Sequence, residues 1–260
     1  MKKIEAVIFD WAGTTVDYGS FAPVQAFISA FEKFGITPTN EEVRKPMGIA
    51  KLDHIREMLN MDRISNEWKN IHGRNFTEDD VKKIYELSET LILDVLKDFS
   101  TPKPYVLETI KALREKGIKI GSTTGYNDEM MEIVKKSAAE QGYVPDTCFT
   151  PDSTNKIGRP YPYLIYMNMM ALKIKSVNSV IKVGDTVADI TEGKNAGVTT
   201  IGVIEGSSVL GYSKTEYDAL SDEEKVIAKS KATEIYKSSG ADYVINNMSE
   251  LIQLIEKIEK

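Results

Sequence analysis

Acidic side chains follow two apolar runs of the sequence, at the points where strands would end. Asp10 comes directly after residues 5–9, and Asp185 follows residues 180–183 and one glycine. In parallel α/β sheets, the carboxyl ends of the strands share one edge, where ligands bind. Carboxylate oxygens are ligands that Mg²⁺ prefers. The sequence therefore predicts a Mg²⁺ site at Asp10 and Asp185, with Asp189 one helical turn further on.

Groups suited to phosphate lie at two other places. Thr124 and Gly125 follow the apolar run 118–122, and the Thr124 hydroxyl with nearby backbone N–H groups can bind phosphate oxygens. Arg159, in a Gly-Arg-Pro loop, can neutralise phosphate charge by a bidentate contact. Each residue alone is more commonly a turn former or a surface group. Together they describe a site for phosphoryl transfer.

Lys51 and His54 form a further candidate pair, three residues apart and on one face if a helix has begun there. A lysine amine condenses with an aldehyde to an iminium ion, which accepts electrons. Lys51 is one of 33 lysine and arginine residues, and most of these must be solvated. Lys51 and His54 are therefore candidates for catalysis only because the sequence also predicts a phosphoryl-transfer site.

Composition narrows the class of protein. A net charge of −6 over 260 residues argues against nucleic acid as a partner, and no apolar run is long enough to span a bilayer. The single cysteine excludes an intrachain disulfide and favours the cytoplasm. The two histidines exclude a histidine-rich metal site, so a metal must take oxygen ligands, which favours Mg²⁺.

Short apolar runs alternate with segments of helical periodicity, which predicts an α/β fold with a doubly wound, Rossmann-like parallel sheet. The predicted strands are residues 5–9, 118–122, 180–183, 199–203 and 243–245, and the predicted helices between them are residues 105–116, 128–141, 162–172, 187–196 and 248–258. Residues 18–99 carry only helical patterns, which predicts a helical cap domain inserted into a core made of residues 1–17 and 100–260. Residues 205–240 are polar, and we interpret them as a solvated excursion.

The four constellations occur in the order typical of the haloacid dehalogenase-like superfamily, which this chain resembles over residues 7–190. The resemblance implies that Asp10 is a nucleophile that forms an aspartyl-phosphate. It also implies Mg²⁺ held by Asp10, Asp185 and the carbonyl of residue 12, with Asp189 behind them. The family's usual second aspartate, which protonates a phosphate-ester leaving group, is Ala12 in this chain.

Alanine at this position and a lysine in the cap are typical of the phosphonatases within that superfamily. The stretches "FDWAGTT", "RKPMG", "KLDHI", "GSTTGYNDEMM", "GRPYPY" and "KVGDTVAD" resemble that family. The resemblance implies an imine at Lys51, with His54, Met47 and Tyr126 lining the proton-transfer side of the pocket. The implied reaction is Mg²⁺-dependent hydrolysis of the small molecule phosphonoacetaldehyde to acetaldehyde and phosphate, in 2-aminoethylphosphonate degradation. A homodimer through the caps is also implied, with residues 27–34 as a contact.

Two alternatives stay open at this point. One is a phosphatase or phosphomutase for a small phosphate ester, against which Ala12 argues. The other is a binding module with a decayed first motif, against which the remaining filled positions argue. Turnover of an aldehyde phosphonate separates both from the expected hydrolase.

Overall fold

The computed structural model describes residues 3–47 and 51–260. In these residues six parallel strands form one sheet, in the spatial order β3-β2-β1-β4-β5-β6. The strands are β1 (Ala6–Phe9), β2 (Lys119–Thr123), β3 (Thr147–Phe149), β4 (Val180–Gly184), β5 (Thr199–Val203) and β6 (Tyr243–Ile245). The order turns back at β1, so the sheet is doubly wound and the predicted fold class is confirmed.

The helices cover both faces of the sheet. These helices are α6 (Val106–Glu115), α7 (Asp128–Glu140), α8 (Tyr163–Ala171), α9 (Val187–Ala196), α10 (Lys214–Ala219), α11 (Asp222–Ser238) and α12 (Leu251–Glu259), and we call them and the six strands the sheet domain. The helices α1 to α5 precede them in the chain. Val7 and Phe9 pack towards α6, α7 and α12, whereas Ala6 and Ile8 pack towards α8. Because successive side chains of a strand point to opposite faces, burial on both faces explains the continuous apolar runs that predicted these strands.

Five helices lie between β1 and α6 in the described part of the chain: α1 (Phe21–Glu32), α2 (Asn40–Arg44), α3 (Lys51–Asn60), α4 (Asp62–His72) and α5 (Glu78–Val95). They share a buried apolar cluster that includes Phe31, Ile55 and Trp68. The Asp17 carboxylate accepts hydrogen bonds from the first backbone N–H groups of α1, at Phe21 (2.9 Å) and Ala22 (3.0 Å). These hydrogen bonds at the N-terminus of α1 fix the direction in which the chain leaves the sheet.

Two sequence-based predictions need correction. Phe27 and Phe31 are buried inside the helical cluster, so their rings are not available as the predicted dimer contact. The edge strand β3 was missed, because it has three half-buried residues and no apolar periodicity. Within the described residues, none of the helices combines the length and apolar character that crossing a bilayer requires.

Candidate active site

The carboxylate of Asp10 is buried at the carboxyl end of β1 and fixed on both oxygens. Arg159 Nη2 donates to Oδ1 at 2.5 Å, and Thr14 Oγ1 donates to Oδ2 at 3.2 Å. Thr15 Oγ1 donates to the Asp10 carbonyl at 2.9 Å, which holds the backbone of the turn. The side chain therefore has one orientation, as a nucleophile for in-line attack requires.

Three buried carboxylates meet here: oxygens of Asp10, Asp185 and Asp189 all lie within 4.8 Å of one another. Burial raises the pKa of Asp185 to about 7, and the negative charges of Asp10 and Asp189 add to the rise. A divalent cation would remove this repulsion. Among the described residues, no hydrogen-bond donor takes the Ala12 carbonyl, which leaves it free to act as a ligand. The donor set is all oxygen and fits Mg²⁺.

Asp189 differs from the other two carboxylates, because cations already surround it. Its Oδ1 lies 3.0 Å from Lys182 Nζ and 3.0 Å from Arg159 Nη1. Burial favours the protonated form of Asp189, but Arg159 and Lys182 outweigh burial and lower its pKa. Thr186 Oγ1 donates to its other oxygen at 2.6 Å. The role of Asp189 behind the metal ligands stays a prediction.

Arg159 and Lys182 belong to one buried ionic network with Asp10, Asp189 and Glu192, and sequence analysis missed Lys182 and Glu192. Lys182 Nζ donates to Thr123 Oγ1 at 2.6 Å and lies 3.2 Å from a Glu192 carboxylate oxygen, which is 3.3 Å from Arg159 Nε. Burial alone would lower the pKa of Arg159, but the carboxylates of Asp10, then Asp189 and Glu192, hold it above its usual range. The network keeps the guanidinium charged beside the Asp10 carboxylate.

Gly13 allows the turn after β1 to pass directly against the Asp185 carboxylate. Its φ is +80°, and a Cβ at this position would lie 2.2 Å from Asp185 Oδ2. The positive φ is a conformation that side-chain-bearing residues rarely adopt. Glycine is therefore required here for two independent reasons.

Replacing Gly13 by alanine is expected to push the Asp185 carboxylate out of place and weaken Mg²⁺ binding, besides destabilising the fold by roughly 1–3 kcal/mol. Calorimetric Mg²⁺ titration and thermal unfolding measure the two effects. Gly117→Ala is the matched control, because Gly117 also has a positive φ (+74°) but a Cβ there meets nothing within 4 Å. Unchanged Mg²⁺ affinity in Gly13→Ala would contradict the steric argument.

The phosphate-binding candidates Thr124 and Gly125 follow β2 directly. Thr124 is buried, and its Oγ1 accepts the Tyr126 backbone N–H at 3.1 Å, whereas Gly125 is exposed. Burial raises the pKa of the Tyr126 phenol well above its ordinary value, and the charges of Asp17, Asp10 and Asp185 add to the rise. Its hydroxyl has no hydrogen-bond partner among the described residues. Tyr126 thus stays a neutral phenol.

Lys51 begins α3 and reaches from the helical cluster to α7 of the sheet domain. Its Nζ pairs with the carboxylate of Glu89 on α5, lies 3.4 Å from Met130 Sδ and is 6.0 Å from the centre of the Tyr126 ring. Burial lowers the pKa of Lys51, and Glu89 partly opposes this. Lys51 Nζ therefore lies where α3, α5 and α7 meet, near the Tyr126 ring.

His54 and Met47 pack with the helical cluster. His54 is buried, stacks on Phe27 with ring centres 4.4 Å apart, and leaves its Nε2 without a partner among the described residues. Burial lowers the pKa of His54 to about 4, and the Lys51 charge adds to this against a hydrogen bond with the Val43 backbone. Met47 packs half-buried against the same cluster. The proton-transfer role of both residues stays a prediction.

Three residues that sequence reasoning missed contact the turns that carry Asp10 and Asp185. Ser208 N donates to Asp185 Oδ2 at 2.7 Å, and the Tyr236 hydroxyl donates to the Asp185 carbonyl at 2.7 Å. Our interpretation of residues 205–240 as a solvated excursion is wrong at these two positions. Lys103, also buried, donates to the Gly13 carbonyl. A lysine beside the turn-forming prolines at 102 and 104 gives no sequence signal for such a role.

Comparisons with known proteins find a matching family model and similar proteins. The family model for haloacid dehalogenase-like hydrolases matches residues 4–197. A phosphonoacetaldehyde hydrolase of Lysinibacillus sphaericus is 51% identical over 258 residues, which are 99% of this chain and 96% of that protein.

Two further relatives are similar along nearly the whole chain. A bifunctional phosphonoacetaldehyde hydrolase/aminoethylphosphonate transaminase of Clostridioides difficile is 49% identical over 99% of this chain, which spans 40% of that protein. The crystal structure of a phosphonoacetaldehyde hydrolase-like protein from Oleispira antarctica superposes with a TM-score of 0.92, at 37% identity over 98% of this chain and 92% of the other.

Proposed function

Because this chain belongs to the phosphonoacetaldehyde hydrolases, a family of haloacid dehalogenase-like hydrolases, we propose that it converts phosphonoacetaldehyde and water to acetaldehyde and phosphate. The observation that carries the proposal is the position of the Lys51 amine. It lies 3.4 Å from Met130 Sδ of the sheet domain and 6.0 Å from the centre of the Tyr126 ring. An amine that can bind an aldehyde is thus held against the domain whose Asp10 carboxylate can attack phosphorus.

The first step joins Lys51 Nζ to the aldehyde carbon and expels water, which leaves an iminium ion one carbon from the P–C bond. The buried surroundings of Lys51 favour the neutral amine that this attack needs. When the P–C bond breaks, its electron pair moves through carbon to the iminium nitrogen. The leaving group is then an enamine, which needs no proton from position 12.

In the second step an Asp10 oxygen bonds to phosphorus as the P–C bond breaks. Arg159, held by Asp10, Asp189 and Glu192, remains charged and stabilises the transferring group. The enamine is protonated at carbon, and water hydrolyses the imine to acetaldehyde and Lys51. A second water cleaves the aspartyl-phosphate to phosphate.

The carboxylates of Asp10 and Asp185, with the Ala12 carbonyl, would hold Mg²⁺. When bound, the ion would supply positive charge to the phosphoryl oxygens. The protein's own part is to keep these oxygens buried and aligned, which the hydrogen bonds of Thr14 to Asp10 (3.2 Å) and Asp185 (3.0 Å) do.

Acetaldehyde release from phosphonoacetaldehyde, measured with and without Mg²⁺, tests the proposed function. We expect one acetaldehyde per phosphate, and no comparable phosphate release from small phosphate esters. Preferential turnover of the esters would instead support a phosphatase.

Replacing Asp185 by alanine is expected to raise the Mg²⁺ concentration needed for half-maximal rate and to lower the rate, since one ligand is lost but the nucleophile stays. Calorimetric titration with Mg²⁺ measures the loss of affinity separately from turnover. Asp146→Ala, at a half-exposed aspartate that pairs with Arg114 away from this cluster, is the control. Equal Mg²⁺ affinity in Asp185→Ala and wild type would remove Asp185 from the ligand set.

Replacing Ala12 by aspartate is expected to lower phosphonoacetaldehyde turnover by at least about tenfold, because an added carboxylate in this site favours the charged ammonium form of Lys51. Borohydride trapping of the imine should fall in parallel. Any gain on phosphate esters should be small. Wild-type turnover would show that the reaction does not require alanine at position 12. Efficient ester hydrolysis would indicate that the chain is a phosphatase that has lost its second aspartate.

We also propose a cytoplasmic homodimer that acts in 2-aminoethylphosphonate degradation. The transaminase fused to the Clostridioides difficile relative supports this metabolic setting, and the single half-buried cysteine suits a reducing compartment. We propose that the subunits meet through the helical caps, as the sequence predicts, at side chains other than the buried rings of Phe27 and Phe31. Sedimentation equilibrium measures the oligomeric state, and a monomer at micromolar concentration would contradict the dimer.

A further inference from the structure

The carboxylate of Glu89 lies between the reactive lysine and the sheet domain. One oxygen, Oε1, pairs with Lys51 Nζ, and the other, Oε2, accepts a hydrogen bond from Asn127 Nδ2 at 3.0 Å. The Asn127 side chain is itself fixed, because its Oδ1 accepts the Met130 backbone N–H at 2.9 Å as the cap of α7. Glu89 is thus anchored on one oxygen and directed at the amine with the other.

This ion pair is more enclosed than an ordinary surface pair. The side chains of Lys51 and Glu89 are 23% and 20% exposed, and Met130 and Tyr126 cover the amine. Surface ion pairs of mobile side chains contribute little to stability. A shielded carboxylate in contact with a reacting nitrogen is, however, the arrangement that proton transfer requires.

We propose that Glu89 is the acid–base residue that forms and hydrolyses the imine at Lys51. The proposal rests on the imine chemistry of the proposed function. Glu89 takes a proton from the Lys51 ammonium, and the resulting amine bonds to the aldehyde carbon. A second proton then moves from nitrogen to the former aldehyde oxygen, which gives a neutral carbinolamine. The Glu89 carboxyl returns its proton to this hydroxyl, the C–O bond breaks and water leaves, so that the iminium ion faces a carboxylate again.

Protons and charge balance in this sequence, since an ammonium–carboxylate pair and an aldehyde become an iminium–carboxylate pair and water. The reverse sequence releases acetaldehyde after the P–C bond has broken. Glu89 therefore acts at both ends of the cycle, whereas Asp10 acts only in between.

The other titratable side chains near Lys51 suit this role less well. Burial holds the pKa of His54 at about 4 and that of the Tyr126 phenol well above its ordinary value, so neither exchanges protons readily near neutral pH. Among the described residues, Glu89 is the one titratable side chain bonded to Lys51 Nζ.

The test is the rate at which borohydride-trappable imine appears after phosphonoacetaldehyde is mixed with enzyme. Glu89→Gln keeps the shape and the contact with Asn127 but cannot take a proton, and we expect trapping to slow by roughly 10²-fold. Glu86→Gln is the matched control, because it removes an exposed glutamate from the same helix; it should trap at the wild-type rate.

A second variant separates proton transfer from packing. In Glu89→Ala, added formate should restore the trapping rate in proportion to its concentration, while chloride at equal ionic strength should not. Wild-type trapping rates in Glu89→Gln would overturn the role of Glu89. Absence of any adduct in the wild-type enzyme would instead overturn the imine mechanism itself, so the two failures are distinguishable.

Discussion

Asp10→Ala is expected to lose P–C cleavage by at least about 10⁴-fold, while the imine at Lys51 still forms. The reason is that the two steps use different parts of the molecule. Asp10 is held at the end of β1 by Arg159 and Thr14, whereas Lys51 is held by Glu89 and Met130. Phosphate release measures the first step, and the borohydride adduct measures the second.

Asp94→Ala, at an exposed position of α5, is the control for this experiment and should keep the wild-type rates of both steps. If Asp10→Ala retained turnover, water would attack phosphorus directly and no aspartyl-phosphate would form. If the variant lost the adduct as well, imine formation would depend on Asp10. That result would contradict the claim that Lys51 and Asp10 carry out separate steps.

Lys51→Arg is expected to lose phosphonoacetaldehyde turnover by at least about 10³-fold, equivalent to roughly 4 kcal/mol in the barrier. A guanidinium stays charged and cannot condense with an aldehyde, although it can still pair with Glu89. The fold and Mg²⁺ affinity should therefore remain those of the wild type. Steady-state kinetics and Mg²⁺ titration measure these quantities together.

The wild-type pH profile gives an independent check on Lys51. Burial lowers its pKa from the ordinary 10.5, so the rate of imine formation should rise with pH and level off below that value. Glu89 opposes the shift, so Glu89→Gln should move the inflection to still lower pH. Substantial turnover by Lys51→Arg would show that the lysine serves as a charge and not as a nucleophile.

The strand-end carboxylates could be predicted from the sequence because their signal is local. An apolar run that ends in an acidic residue indicates a buried strand and the position of its carboxyl end. Parallel pairing of β1 with β4 then brings Asp10 and Asp185 together at one edge of the sheet. The same reasoning placed Thr124 one residue after β2. It missed Thr123, the last residue of that strand, because the predicted strand ended at residue 122.

Other site residues depend on contacts that no local pattern encodes. Lys182 lies in the middle of β4 and is fully buried, and a lysine inside a predicted buried strand was a signal that we did not use. Glu192 lies one turn beyond Asp189 on α9. Glu89 meets Lys51 only through the packing of α5 on α3, and α5 also packs on α7. Tyr236 reaches Asp185 from α11 across a segment whose composition is that of a surface helix.

Peptide mass spectrometry after borohydride treatment in the presence of phosphonoacetaldehyde tests the central claim, a covalent imine between substrate and Lys51. The account predicts an ethyl or phosphonoethyl group on the peptide that contains Lys51, formed only with aldehyde and absent from Lys51→Arg. An unmodified Lys51, or an adduct on another lysine that forms at the rate of turnover, would contradict it.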